Sequence, residues 1–220
     1  MNTHVIEEKA YCFTENEFSI LLSAAGISRI ICFDLENGKK QFSELGKREC
    51  NEAILSLVQS GVLEIEDEHY LVKEEVKSLI RAIKDCRSVL MYYPSEKAKS
   101  AQCVYIKADD CFTIAVSGGM RSDYIRVSYY EGKKLKEYLS EAGILLSGKE
   151  EVGNDAEPEG TDRVELYDAQ NGKMVYEAEI LKRNGIPREL IRNEVKGTYS
   201  AESLWKGIEA FMEEKTDDIG

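Results

Sequence analysis

Histidine is scarce in this chain, at two residues of 220 (His4 and His69), and none of its six cysteines falls in a CxxC pair. Metal sites of the common Cys/His type are therefore not expected. Cys12, Cys32, Cys50, Cys86, Cys103 and Cys111 are expected to be free thiols serving as small buried hydrophobes. A disulfide framework is not expected either, because the polar, acidic stretch Met1–Lys9 does not resemble a secretory leader and a reducing cytoplasm is the expected setting. No apolar run approaches the roughly 20 residues of a membrane span. Runs of Lys and Arg are missing too, and 41 acidic residues against 29 basic ones leave a net charge of −12. Such a surface repels phosphate backbones and anionic lipid, so neither nucleic acid nor membrane insertion is expected.

What remains is an ordinary hydrophobic fraction of 43% in 220 residues, enough to bury a sizeable core. The clearest order lies between Ser88 and Leu146. There SVLMYYP, AQCVYIKA, CFTIAVS and DYIRVSYY read as strands running into an amphipathic helix, EGKKLKEYLSEAGILL. Val104, Ile106, Phe112, Ile114 and Val116 alternate with polar or small residues, as half-buried antiparallel strands do. Asp109-Asp110 and Ser117-Gly118-Gly119 supply turns. The latter lacks the GxxxxGK[ST] spacing of a phosphate loop. A smaller copy follows: DRVELYD, KMVYEAEIL and RELIRNEVKG, with the turn Asn171-Gly172, then the helix SAESLWKGIEAFMEEK. Ser200 is its expected N-cap, and Leu204, Ile208, Phe211 and Met212 its buried stripe. Between the copies, residues 149–162 (KEEVGNDAEPEGTD) have almost nothing to bury and read as an acidic linker. The expected organisation is thus 1–148, a linker at 149–162, and a smaller half at 163–220 on the same sheet.

Upstream, Thr14 and Glu17 form a capping-box signature, followed by Phe18, Leu21, Leu22 and Ala25 on one helical face and Gly26 as a stop. Ile27–Leu35, running into Asn37-Gly38, fits strand or helix. A second helix is expected over Leu45–Gly61, then a hairpin of Val62–Ile65 and His69–Val72 around Glu66-Asp67-Glu68. Val72, Val76, Leu79, Ile80 and Ile83 carry the cleanest helical period. Helix followed by hairpin is also the order of a winged helix, so a transcription regulator is the alternative function. The three carboxylates at the wing tip weigh against DNA.

No constellation suits catalysis, and no cofactor or metal is expected. Acid pairs such as Glu150-Glu151 and Asp217-Asp218 lie in polar segments that cannot hold a fixed geometry, and His69 reads as a solvated turn residue. Aromatic residues offer binding hints instead. Trp205, the only tryptophan, flanks the stripe of the last helix and fits either its edge or an exposed anchor. In the pairs Tyr92-Tyr93 and Tyr129-Tyr130 strand neighbours point to opposite faces, which makes Tyr93, Tyr130 and Trp205 the candidate partner-binding residues.

The succession LVQSGVLE, an acidic turn, YLVKEEVKSLIRAI, strands, and YIRVSYYEGKKLKEYLSEAGIL resembles the EspG-type accessory proteins of type VII secretion. The tail, VELYDAQNGKMVYEAEI and then GTYSAESLWKGIEAFM, resembles that family's second half. The likeness is one of pattern from about Phe13 to Glu214 and rests on no invariant motif. It implies an α+β protein with a central, mainly antiparallel sheet in quasi-twofold halves, flanked by helices, with a winged-helix-like N-terminal part. It also implies a cytoplasmic, non-enzymatic chaperone or adaptor that binds helical substrates of a secretion pathway. The chain is shorter than typical members, and its second half lacks counterparts of the opening helices.

Overall fold

A computed structural model of the chain describes residues 9–27, 45–67, 69–95, 101–106, 113–118, 124–130, 135–146, 160–183 and 185–213. Residues 28–35 with Asn37-Gly38, Asp109-Asp110, residues 149–159 and Thr216–Gly220 lie outside them.

The architecture is α+β. Strands β1 (Lys9–Thr14), β4 (Ser88–Tyr93), β5 (Ala101–Ile106), β6 (Thr113–Gly118), β7 (Tyr124–Tyr130), β8 (Gly160–Asp168), β9 (Met174–Arg183), β10 (Ile186–Arg192) and β11 (Val195–Thr198) form one sheet. Their order is β1-β7-β6-β5-β4-β8-β9-β10-β11, and every neighbouring pair is antiparallel. The order is informative. From β4 the chain meanders outward to β7; from β8, β4's other neighbour, it meanders outward to β11 on the opposite side. Each meander ends in a helix, α4 (Leu135–Glu141) or α5 (Ala201–Glu213), and both helices bury their apolar residues on the same face. Exchange of the halves by rotation about an axis through the β4–β8 joint preserves this topology.

Period-two alternation explains the two cores. Along β4, Val89 and Met91 face one side and Leu90 and Tyr92 the other, all of them buried. The first side is covered by α1 (Glu15–Ala24), α2 (Lys47–Gln59) and α3 (Glu74–Lys84), through Phe18, Leu21, Leu22, Leu57, Val76, Leu79, Ile80 and Ile83. On the second side Leu135, Tyr138 and Leu139 of α4 and Leu204 and Ile208 of α5 pack on Val104, Val164, Leu166, Ala178 and Ile180.

Local signals set the helix ends. Thr14 Oγ1 accepts from the Glu17 amide at 3.3 Å while Glu17 Oε2 accepts from the Thr14 amide at 2.6 Å, the reciprocal box its sequence implies. At the C-terminus of α2, Gly61 takes φ +71°, which lets its own amide reach Val58 O and the Val62 amide reach Leu57 O at 2.9 Å. Buried Val62 thereby packs beside buried Leu57 and aims the chain into the next strand. Ser200 caps α5 by accepting from the Ser203 amide at 3.0 Å.

Several details differ from the sequence expectations. Val72 closes a strand, and α3 begins only at Glu74. Gly160–Asp162 belong to β8, so the acidic segment ends earlier than its composition suggests. RELIRNEVKG is two strands, because Asn193 and Glu194 both take positive φ, 48° and 66°, and fold the chain back. Cys103 is buried as expected, whereas Cys12 on β1 is exposed. Ser117 and Gly118, expected in a turn, close β6.

Candidate functional site

Three places hold polar or apolar groups that a globular fold ordinarily avoids. The first lies at the joint of the halves. Asp162, 1% exposed, ion-pairs with Lys182 at 2.6 Å, and Lys182 is 3% exposed. The same carboxylate accepts from Tyr92 Oη at 2.5 Å and from the amide and hydroxyl of Ser95, both at 2.8 Å. Burial pushes the Asp162 carboxyl up, but Lys182, Tyr92 and Ser95 together outweigh it and hold the group below the ordinary carboxylate value. Nearby Tyr199 is pushed up to about 12, chiefly by burial and further by the Asp162 charge, against a lowering hydrogen bond at Leu146. Both carboxylate oxygens are thus committed to protein donors, leaving none for a substrate proton. The cluster ties the end of β4 to β8 and β9.

The second place is on the opposite face. Glu165 is buried, and it ion-pairs with Arg163 at 2.9 Å and accepts from Tyr167 Oη at 2.8 Å. The Arg163 guanidinium lies 4.6 Å from the centroid of the Tyr93 ring. Tyr93 is itself pushed up to about 12 by burial first, then by the Glu165 charge, with Arg163 acting against them. This is a clamp along the β4–β8 joint.

The third place is the two-stranded hairpin β2 (Leu63–Glu66) and β3 (His69–Val72), which forms a sheet of its own between α2 and α3. Leu63 is buried and Val72 half-buried at its foot, where the Lys73 amide donates to Val62 O at 2.9 Å. Beyond the foot every described residue is exposed. Ile65 and Tyr70 are directly opposite in register, yet they are 62% and 56% exposed. Leu71 is also exposed, as is Leu55 on α2. Glu64, Glu66, Asp67 and His69 complete the projection.

The residues singled out from sequence do not converge. Tyr93 is half-buried under Arg163, on the face covered by the N-terminal helices. Trp205 is half-buried on the other face, with Lys136 Nζ 5.5 Å from its ring centroid and Lys136 ion-paired to Glu202 at 2.9 Å. Tyr130 ends β7 opposite Thr113, and its side chain lies outside the described residues. His69 is exposed at the turn. The hairpin residues Ile65 and Tyr70 escape a reading of the sequence, because alternation places them on the same side as Leu63 and so marks them as core. Only the shortness of the hairpin's footing distinguishes them.

Among the described residues no group of three or more His, Cys, Asp or Glu could hold a metal ion, and no helix is long and apolar enough to cross a membrane. No protein-family model and no curated protein matches the chain.

Proposed function

We infer that this protein is a non-enzymatic chaperone or adaptor that holds a helical protein substrate, as the resemblance to EspG-type accessory proteins of type VII secretion implies. One observation carries the reading. Of the seven large hydrophobic residues exposed on the described surface, four (Leu55, Ile65, Tyr70 and Leu71) belong to the α2–hairpin unit. The charged clusters at the β4–β8 joint, by contrast, are spent on internal partners. Apolar side chains held out in water are what a binding surface offers; saturated carboxylates are not what a catalyst offers. The substrate is helical in this reading because an amphipathic helix presents a matching apolar stripe to such a surface.

A winged-helix regulator is the second reading, favoured by the direct succession of α2 and the hairpin. Glu64, Glu66 and Asp67 on the wing and a net charge of −12 oppose it. Purification of the tagged chain at native abundance separates the two. The adaptor reading expects a helical protein in fixed stoichiometry and no duplex affinity. Recovery without such a protein, together with duplex binding that falls steeply with salt, would replace it with the regulator.

A further inference from the structure

We propose that the tip of the β2–β3 hairpin is a docking element for a basic amphipathic helix, with Ile65 and Tyr70 as its apolar anchor and Glu64, Glu66 and Asp67 as its charge rim. This rests on the adaptor reading and adds a surface and a partner chemistry to it. The argument begins with an energetic anomaly. A cross-strand Ile–Tyr pair normally stabilises a sheet by closing over a core. Here the pair projects beyond the only anchored rung, Leu63–Val72, and both side chains stay more than half exposed. An isolated two-stranded hairpin is marginal in water, so leaving its largest side chains uncovered serves no purpose within the monomer. Tyr suits the position, since it brings a large contact area at small entropic cost and a hydroxyl that stays wet at a rim.

Charge decides which occupant fits. Three exposed carboxylates surround the pair, and the left-handed φ of +47° at Asp67 turns the chain tightly enough to keep them together. The nearest cations are at the foot: Lys73 is exposed, Lys77 and Arg81 are ion-paired to Glu74, and on α2 Arg48 is ion-paired to Glu52. A helix with apolar residues along one stripe and Lys or Arg beside it meets attraction at the rim and burial at the centre. An acidic helix, or a phosphate backbone, meets repulsion.

The test uses the full chain and a synthetic amphipathic helix of leucine and lysine, followed by fluorescence anisotropy and by amide shifts. Binding should perturb residues 63–72 first. Ile65→Ser with Tyr70→Ser should weaken it roughly tenfold or more without moving the melting temperature, because both side chains are exposed. Glu64→Gln with Glu66→Gln and Asp67→Asn should weaken it less and flatten its salt dependence. The same helix with glutamate in place of lysine should not bind. Undiminished binding to both variants would overturn this inference while leaving the adaptor reading intact, since the helix would then dock elsewhere. Equal binding of the glutamate helix would overturn the charge assignment and with it the proposal. Loss of concentration-dependent self-association in Ile65→Ser/Tyr70→Ser would assign the tip to a second copy of the chain instead. Failure of every helix to bind the unaltered chain would remove both readings.

Discussion

Asp162 shows how a single side chain can decide the behaviour of the joint. Its pKa is depressed in the folded protein, so its contribution to stability is complete above the ordinary value of 3.8 and is lost as pH falls through the lower folded value. Asp162→Asn leaves Lys182 charged and buried without its partner, which should cost about 3–5 kcal/mol at neutral pH and flatten the acid limb of the stability profile. Asp162→Asn combined with Lys182→Met should cost less than Asp162→Asn alone. Urea titrations across pH read both, and a double variant worse than the single one would contradict the account. Gly207 is a second such residue. A Cβ there would lie 2.5 Å from Tyr176 Oη and 2.8 Å from its ring, and that ring is buried against α5, 5.6 Å from the Phe211 ring centroid. Gly207→Ala gains about 1 kcal/mol of helix propensity but should lose more to overpacking, about 1–3 kcal/mol. An unchanged or raised melting temperature would show that the ring yields freely.

Elements reveal where sequence signals are local and where they are not. The β10–β11 hairpin holds Glu194 at φ +66°, a conformation that costs a residue with a side chain about 1–2 kcal/mol. Glu194→Gly relieves that strain at the cost of some unfolded-state entropy, and a net gain of about 0.5–1 kcal/mol is expected in thermal melts. A loss would mean the glutamate is held by contacts stronger than its strain. This same turn hides β11 from a reading of the sequence, since Asn-Glu is no customary hairpin dipeptide, whereas Asn171-Gly172 announces the β8–β9 turn. There Asp168 Oδ1 accepts from the Gln170 amide at 2.8 Å. The Thr14/Glu17 box, Gly26, Gly61 and the period of α3 are legible because each signal lies within a few residues. Lys9–Thr14 is not, because its strand exists only by pairing with β7, more than a hundred residues away. Asp162 is unreadable for the same reason. Its partners Tyr92, Ser95 and Lys182 come from three separate segments, and its own neighbours are acidic and polar.

Across the whole molecule, the halves share a topology but not a covering. Both faces of β4 and β5 are buried, by α1–α3 on one side and α4 and α5 on the other. Beyond β8 the first face has no described helix over it. There β9 alternates buried Ala178, Ile180 and Lys182 with exposed or half-buried Glu177, Glu179 and Arg183. Ion pairs occupy that face, Arg183–Glu189 at 3.5 Å and Lys196–Glu189 at 2.6 Å, as suits a surface in contact with water. The second half therefore depends on the first for part of its stability, through six registered residue pairs between β4 and β8, the Asp162 cluster and the second core. The platform reading requires the sheet to behave as one body that holds out a hairpin with little support of its own. Native-state hydrogen exchange measures this directly. Amides of β4, β5, β8 and β9 should exchange as a single class, with one free energy equal to that of global unfolding, while residues 64–71 exchange far faster. Separate free energies for β4–β5 and β8–β9 would show two independent units and contradict the account.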